Sequence, residues 1–243
     1  MSNTAFSKEQ FSAIYPDGVD QHYWNHSRNR VIRRFLKRSR LHQSKILEIG
    51  CGRGVVLKHL LSHQIDCTGV ELGDALPLPG CEGIILTNQD AFSLPASVRE
   101  SIETVLMFDV LEHLESPGEF IDRIRTQFIN ARHLVVTVPA RQELWTNYDE
   151  YNGHFKRYSL TDMKTLATGP VELKKASYFY HSLYILFRIF IRLSGTRSTS
   201  IKAPAGSGKL IHKLGSLILQ ADFHLFPRRF PGTSIIALLS LRK

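Results

Sequence analysis

The sequence predicts an α/β domain built on a mainly parallel sheet with helices on both faces. Short apolar runs alternate with helical patterns through most of the 243 residues, the signature of strands joined by crossover helices. A glycine-rich turn, Gly50-x-Gly52-x-Gly54, joins the first of these runs to the first clear helical pattern. The chain is also long enough for one sizeable core with an elaboration.

Taken in order, residues 1–20 read as irregular. Gln21–Arg40 is helix-compatible, with Trp24, Val31, Ile32, Phe35 and Leu36 near one face and seven Arg or Lys from Arg28 onward. Strand-like runs follow at Ile46–Ile49, Cys67–Val70, Gly83–Leu86, Thr104–Phe108 and His133–Val138. Val55–Ser62 and Pro117–Phe128 are the clearest helices between them. A helix near Leu160–Ala167, a strand near Val171–Ser177 and a closing strand within Thr233–Lys243 complete the pattern. The chain thus divides into an N-terminal helical segment (1–40), a core (41–177 and 232–243) and an insertion (178–231). No internal repeat or low-complexity tract interrupts it.

The formal net charge is +9, which points to an anionic partner: a nucleic acid, a phosphorylated substrate or a membrane surface. The first residues carry no apolar h-region, so no secretory signal is expected and the Asn25–Ser27 sequon is idle. Cys51, Cys67 and Cys81 form neither an even disulfide framework nor a C-x-x-C metal spacing, which suits a reducing cytosol.

The glycines imply a ligand close to the backbone. A dinucleotide turn reads G-x-G-x-x-G, but Val55 stands where its last glycine belongs. Glu48, inside the first strand, would repel pyrophosphate and would face a cationic group instead. Glu71, at the end of the second strand, is placed to accept from a ribose diol. Asp90 and Ala91 follow the third strand, where an adenine edge could be held. An adenosyl ligand with an amino-acid tail, an ammonium and no phosphate matches this set.

At these residues the chain resembles the class I S-adenosylmethionine-dependent methyltransferases. "LEIGCGRG" (Leu47–Gly54), "GVEL" (Gly69–Leu72), "NQDAFSLP" (Asn88–Pro95) and "FDVLEHLESP" (Phe108–Pro117) carry the likeness. The stretch Pro139–Met163 is similar to a subgroup with a W…D…GH..RYS signature. The resemblance implies a Rossmann-like, seven-stranded, mostly parallel sheet and a helical insertion before the last strand. It implies that Glu48 and the turn of Gly50, Cys51, Gly52 and Gly54 hold the methionine portion of S-adenosylmethionine. Glu71, with Leu72 beside it, would hold the ribose, and Asp90 and Ala91 the adenine. Asp109 would lie beside the methyl group, and the product would be S-adenosylhomocysteine.

Methyl transfer from a sulfonium needs alignment and exclusion of water, and a hydroxyl or ammonium nucleophile also needs a base. His113 and His154 titrate in the right range for that task. Trp145, Arg157 and Tyr158 are candidates to hold the substrate. Glu112 and His113 lack a third ligand at metal spacing, so no metal is expected. "APAGSGKL" (Ala203–Leu210) resembles a phosphate loop, but Leu210 replaces the required Ser or Thr, and it reads as a linker.

The insertion is the oddity. Tyr178–Leu193 and Leu210–Phe226 mix bulky apolar residues with Arg and Lys, and neither reaches the length of a membrane span. They read as two amphipathic helices that form a lid, meet a second subunit or lie in a membrane interface, with Phe187 and Ile191 on the apolar face. The expected function is methyl transfer to oxygen or nitrogen of a small or lipid-like acceptor, in the cytoplasm or at the inner face of an anionic membrane. An RNA or protein methyltransferase and a non-catalytic cofactor-binding protein are the rival readings. No nucleic-acid module of recognisable type supports the first of these.

Overall fold

The computed structural model describes residues 8–242 apart from 197, 200, 201, 207 and 228. The irregular start expected for residues 1–7 and the basic residue Arg228 therefore lie outside the described residues. Along the chain the elements are α1 (Lys8–Ile14), α2 (Tyr23–Arg38), β1 (Ile46–Ile49), α3 (Val55–Leu61), β2 (Cys67–Val70), β3 (Ile85–Leu86) and α4 (Ala96–Ser101). Then come β4 (Thr104–Phe108), α5 (Pro117–Gln127), β5 (His133–Pro139), α6 (Asn147–Tyr151), α7 (Leu160–Thr165), β6 (Val171–Phe179), α8 (His181–Ser194), α9 (Gly208–Leu225) and β7 (Ser234–Leu241).

The seven strands lie in the order β3-β2-β1-β4-β5-β7-β6. The first five run parallel, and β7 enters antiparallel between β5 and β6. Alternate strand residues feed two cores. Leu47, Val105, Met107, Leu134 and Val136 pack with α5 on one face. Ile46, Leu106, Phe108 and Val135 pack with α2 and α3 on the other. Strand order reverses between β1 and β4, and in such sheets the crevice at the carboxyl ends of those strands receives the ligand.

Three expectations change. Residues 8–14 form α1 rather than an irregular lead, because Phe11 is buried and Tyr15 packs just beyond it. A seven-residue helix is marginal alone, so docking sustains it. β6 runs on to Phe179, with Tyr178 and Phe179 buried in the sheet, so the insertion begins at Tyr180 and not at Tyr178. Gly208, Lys209 and Leu210, read as the end of a linker, open α9.

The insertion is clasped to the first helices by polar contacts. Tyr23 N donates to His212 Nδ1 (3.1 Å), His26 meets Ser216 (3.0 Å), Arg30 donates to Gln220 (2.9 Å) and Arg34 meets His224 (2.6 Å). Asp222, on the same helix, accepts from the main-chain N–H groups of His181 and Ser182 (both 2.7 Å) and so caps α8. The helix thus turns its polar stripe inward. Leu210, Ile211, Leu214, Leu217, Ile218 and Leu225 are left outward.

Candidate active site

The turn after β1 is drawn tight against its neighbours. Gly50 N and Cys51 N both donate to Val70 O (2.9 and 3.3 Å). Gly50 has φ +73°, and a side chain there would meet Val110 at 2.6 Å, so the turns after β1 and β4 touch. Glu71 staples the crevice from the other side: its carboxylate accepts from Gly52 N (2.8 Å) and Gly73 N (2.9 Å).

A first cavity opens over these turns. Gly50, Gly52, Glu71, Leu72, Asp90, Ala91 and Asp109 line it, so these expected cofactor residues are brought together. Phe11, Tyr15 and Phe120 also line it. One Asp90 oxygen already accepts from Phe92 N (3.0 Å) and caps a 3₁₀ turn. Glu48 and Cys51 do not reach this cavity; they border a smaller one beside Gly50, shared with Arg28 and Tyr15. Gly54 borders none of the cavities and packs against Cys81 and Ile85. Glu48 is buried, and its Oε2 has no partner. Burial pushes its carboxyl up to about 8, against the opposing pull of Arg28.

Asp109, at the end of β4, has φ +57°, a conformation uncommon outside glycine and concentrated at functional sites. Arg28 pairs with it at 2.6 Å, and Thr137 Oγ1 donates to it at 3.0 Å. Its carboxylate is thus committed and does not stand as an unpaired base.

A second cavity lies beyond, lined by Tyr23, Trp24, Asp109, Glu112, His113, Tyr148, His154, Arg157 and Phe187. The His113 and His154 rings meet edge to face, 4.7 Å apart. Burial, then His154, lowers the His113 imidazole to about 4, so it is neutral at pH 7. Asp149 organises this wall: it accepts from Thr146 N (3.0 Å) and Arg157 Nε (2.8 Å) and bonds His154 Nδ1 (2.9 Å). Burial would raise the Asp149 carboxyl, but the bonds from His154 and Arg157 hold it below its ordinary range.

Two expected substrate residues are elsewhere. Trp145 borders neither cavity, and its Nε1 points to Glu150 (3.4 Å). Tyr158 is buried and donates to Leu111 O (2.9 Å), tying two loops together. The basic helix is corrected as well. Arg28 is buried in the site, and Arg30 and Arg34 are engaged with α9, so these three do not form a solvated cationic face. Its spacing from Trp24, Val31, Ile32 and Phe35 was the available signal, because it falls on the apolar stripe. Nothing in the sequence marks Tyr15.

A family model described as "Methyltransferase domain" matches residues 22–169, more than half of the chain. The chain belongs to this methyltransferase family. No curated protein sequence matches it. Among solved structures, the methyltransferase domain of a bacterial protein, CtHen1-C, is similar with a TM-score of 0.54 and 13% identity, covering 90% of this chain and 99% of that one. Magnesium protoporphyrin IX methyltransferase from Synechocystis PCC 6803, with bound SAH, gives 0.54 at 14% identity over 97% and 94%. The plantazolicin methyltransferase BpumL, in complex with a substrate analogue and SAH, gives 0.52 at 13% over 91% and 85%. At such identities the likeness is one of fold. It assigns the seven-stranded sheet of this methyltransferase to the same Rossmann-like architecture.

Proposed function

We infer that this methyltransferase moves a methyl group from S-adenosylmethionine to oxygen or nitrogen of a lipid-like acceptor. One observation carries the reading: the two cavities share a wall formed by Tyr15, Asp109 and His113. A donor in the first cavity and an acceptor in the second would meet there, in line. S-adenosylmethionine is the cofactor. Glu71 accepts its ribose hydroxyls, Glu48 compensates its ammonium through the glycine turn, and adenine lies between Leu72, Ala91 and Phe120. The acceptor lies among Tyr23, Trp24, Tyr148 and Phe187 and loses its proton at the polar end, where His113 and His154 stand.

Cofactor binding is tested by calorimetry with S-adenosylhomocysteine. Glu71→Ala is expected to weaken binding by roughly 2–3 kcal/mol, about 30- to 140-fold, by removing a charge-assisted contact. It also leaves the Gly52 and Gly73 N–H groups without their acceptor, so unfolding in urea should shift by about 1–3 kcal/mol. Unchanged affinity would refute the assignment. Transfer itself is tested with labelled donor against lipid extracts and phenolic or amine acceptors.

A second expectation concerns protons. With its carboxyl near 8, Glu48 is mostly protonated in the free protein at pH 7. A ligand ammonium favours the carboxylate, so binding should expel a proton and tighten as pH rises from 6 towards 8. Binding heats measured in buffers of different ionisation enthalpy report this; proton uptake would contradict it.

The insertion supports the lipid-like acceptor. Phe187 turns into the second cavity rather than outward, correcting its expected place, while Ile185, Leu186, Ile189, Phe190 and Leu193 of the same helix are exposed. The exposed charges carried by α8 and α9 themselves, Arg192, Lys209 and Lys213, are all positive. An apolar face rimmed by cations fits an anionic membrane interface, at about 1 kcal/mol per basic residue near the surface. No described helix is long and apolar enough to cross a membrane. The protein should cosediment with anionic vesicles, less at higher salt, and Ile189→Ser with Phe190→Ser should reduce it. Protein left in the supernatant at low salt would overturn membrane contact; a concentration-dependent dimer lost in that variant would assign the face to a second subunit.

A further inference from the structure

Charges around the second cavity do not balance. Arg28 is matched by Asp109 at 2.6 Å, and Arg157 by Asp149 at 2.8 Å. Glu112 is left over, 1% exposed, with Oε2 lacking a hydrogen-bond partner among the described residues. A bare buried carboxylate of this kind is costly, so it holds either a proton or a cation.

The neighbours of Glu112 decide in favour of the cation. Ligand atoms of Glu112, His113 and His154 lie within 4.8 Å of one another, the one grouping of this kind among the described residues. Each imidazole is also oriented from behind. Asp149 bonds His154 Nδ1, which leaves Nε2 as the atom to be offered, and main-chain Asn152 hydrogen-bonds the His113 ring. A carboxylate or carbonyl behind a ligating imidazole is the usual support of a metal site.

Resting on the acceptor reading above, we propose that Glu112, His113 and His154 bind a divalent transition-metal cation whose open positions face the acceptor. Two nitrogens and one carboxylate oxygen suit Zn²⁺, Mn²⁺, Fe²⁺ or Co²⁺ better than Mg²⁺ or Ca²⁺, which prefer oxygen throughout. Bonds of about 2.0–2.2 Å require the three side chains to close inward slightly on binding. Three protein ligands leave positions for substrate, as catalytic sites do. The acceptor is then a hydroxyl compound. Its oxygen binds the cation, which lowers the hydroxyl pKa, and the proton passes to water. An oxygen lone pair forms the new O–C bond to the methyl carbon as the C–S bond breaks. That bonding pair stays on sulfur, and the cation keeps its charge throughout.

The test is titration of the chelator-treated full-length protein with Co²⁺, followed by its visible absorption and by calorimetry. One equivalent is expected to bind, with affinity falling at least about tenfold in Glu112→Gln, in His113→Ala and in His154→Ala. S-adenosylhomocysteine binding in the same variants serves as the control for folding. No Co²⁺ binding, or binding equal in all variants, overturns the site and leaves Glu112 as a protonated acid. If S-adenosylhomocysteine binds and Co²⁺ does not, the methyltransferase reading stands without the metal. If Co²⁺ binds at these residues and S-adenosylhomocysteine does not, the donor assignment fails and the metal site survives.

Discussion

His113→Ala is expected to cut turnover about 10²–10⁴-fold while S-adenosylhomocysteine affinity stays within a factor of about two or three. The expectation follows from position. His113 borders both cavities, at the wall where donor and acceptor would meet, and its ring is held by Asn152 and by contact with His154. Removal takes away a ring at the polar end of the second cavity without touching the Glu71 staple. Steady-state kinetics separate the outcomes. A fall in kcat with unchanged acceptor KM supports the role, a rise in KM alone marks a residue that only positions the acceptor, and no change in either ends the assignment.

Asp149→Ala should destabilise the fold by roughly 3–5 kcal/mol, because it strands a buried cation. Asp149 is fully buried, and Arg157, its partner at 2.8 Å, is only 6% exposed. The same carboxylate closes a capping box with Thr146 at the start of α6 and fixes the His154 ring. Urea unfolding followed by circular dichroism measures the loss. Asp149→Asn keeps the shape and one acceptor oxygen and should cost less. A shift below about 1 kcal/mol for the alanine variant would show that Arg157 finds water or another acceptor.

The sheet was legible because parallel strands buried on both faces are written as continuous apolar runs, and Ile46–Ile49 and Thr104–Phe108 are placed in the structure as the sequence predicts. The lining of the first cavity was legible because glycines and acids at strand ends are sequence-local: Gly50, Gly52, Glu71 and Asp90 share it. The rest depends on contacts between distant segments. Arg28 reads as one more surface cation until Asp109, more than eighty residues on, is placed beside it. His154 reads as a loop histidine until the chain folds it onto His113 and Glu112. Tyr158 and Trp145 sit in a motif that looks like substrate recognition, yet one is a tie between loops and the other lies off the cavities.

The short helix beside the first cavity bears on the local stability of the site. Tyr15 borders the first cavity, the second cavity and the pocket beside Glu48, and a methyl group placed on Gly52 would stand 3.0 Å from its ring. The segment is one short helix held by Phe11 and Tyr15, by Gln10 Nε2 donating to Tyr151 O (3.0 Å) and by Arg53 donating to Tyr15 O (2.7 Å). Its melting is therefore a small event beside the unfolding of the sheet, and amide hydrogen exchange in residues 8–15 is expected to outpace exchange in β1 and β4.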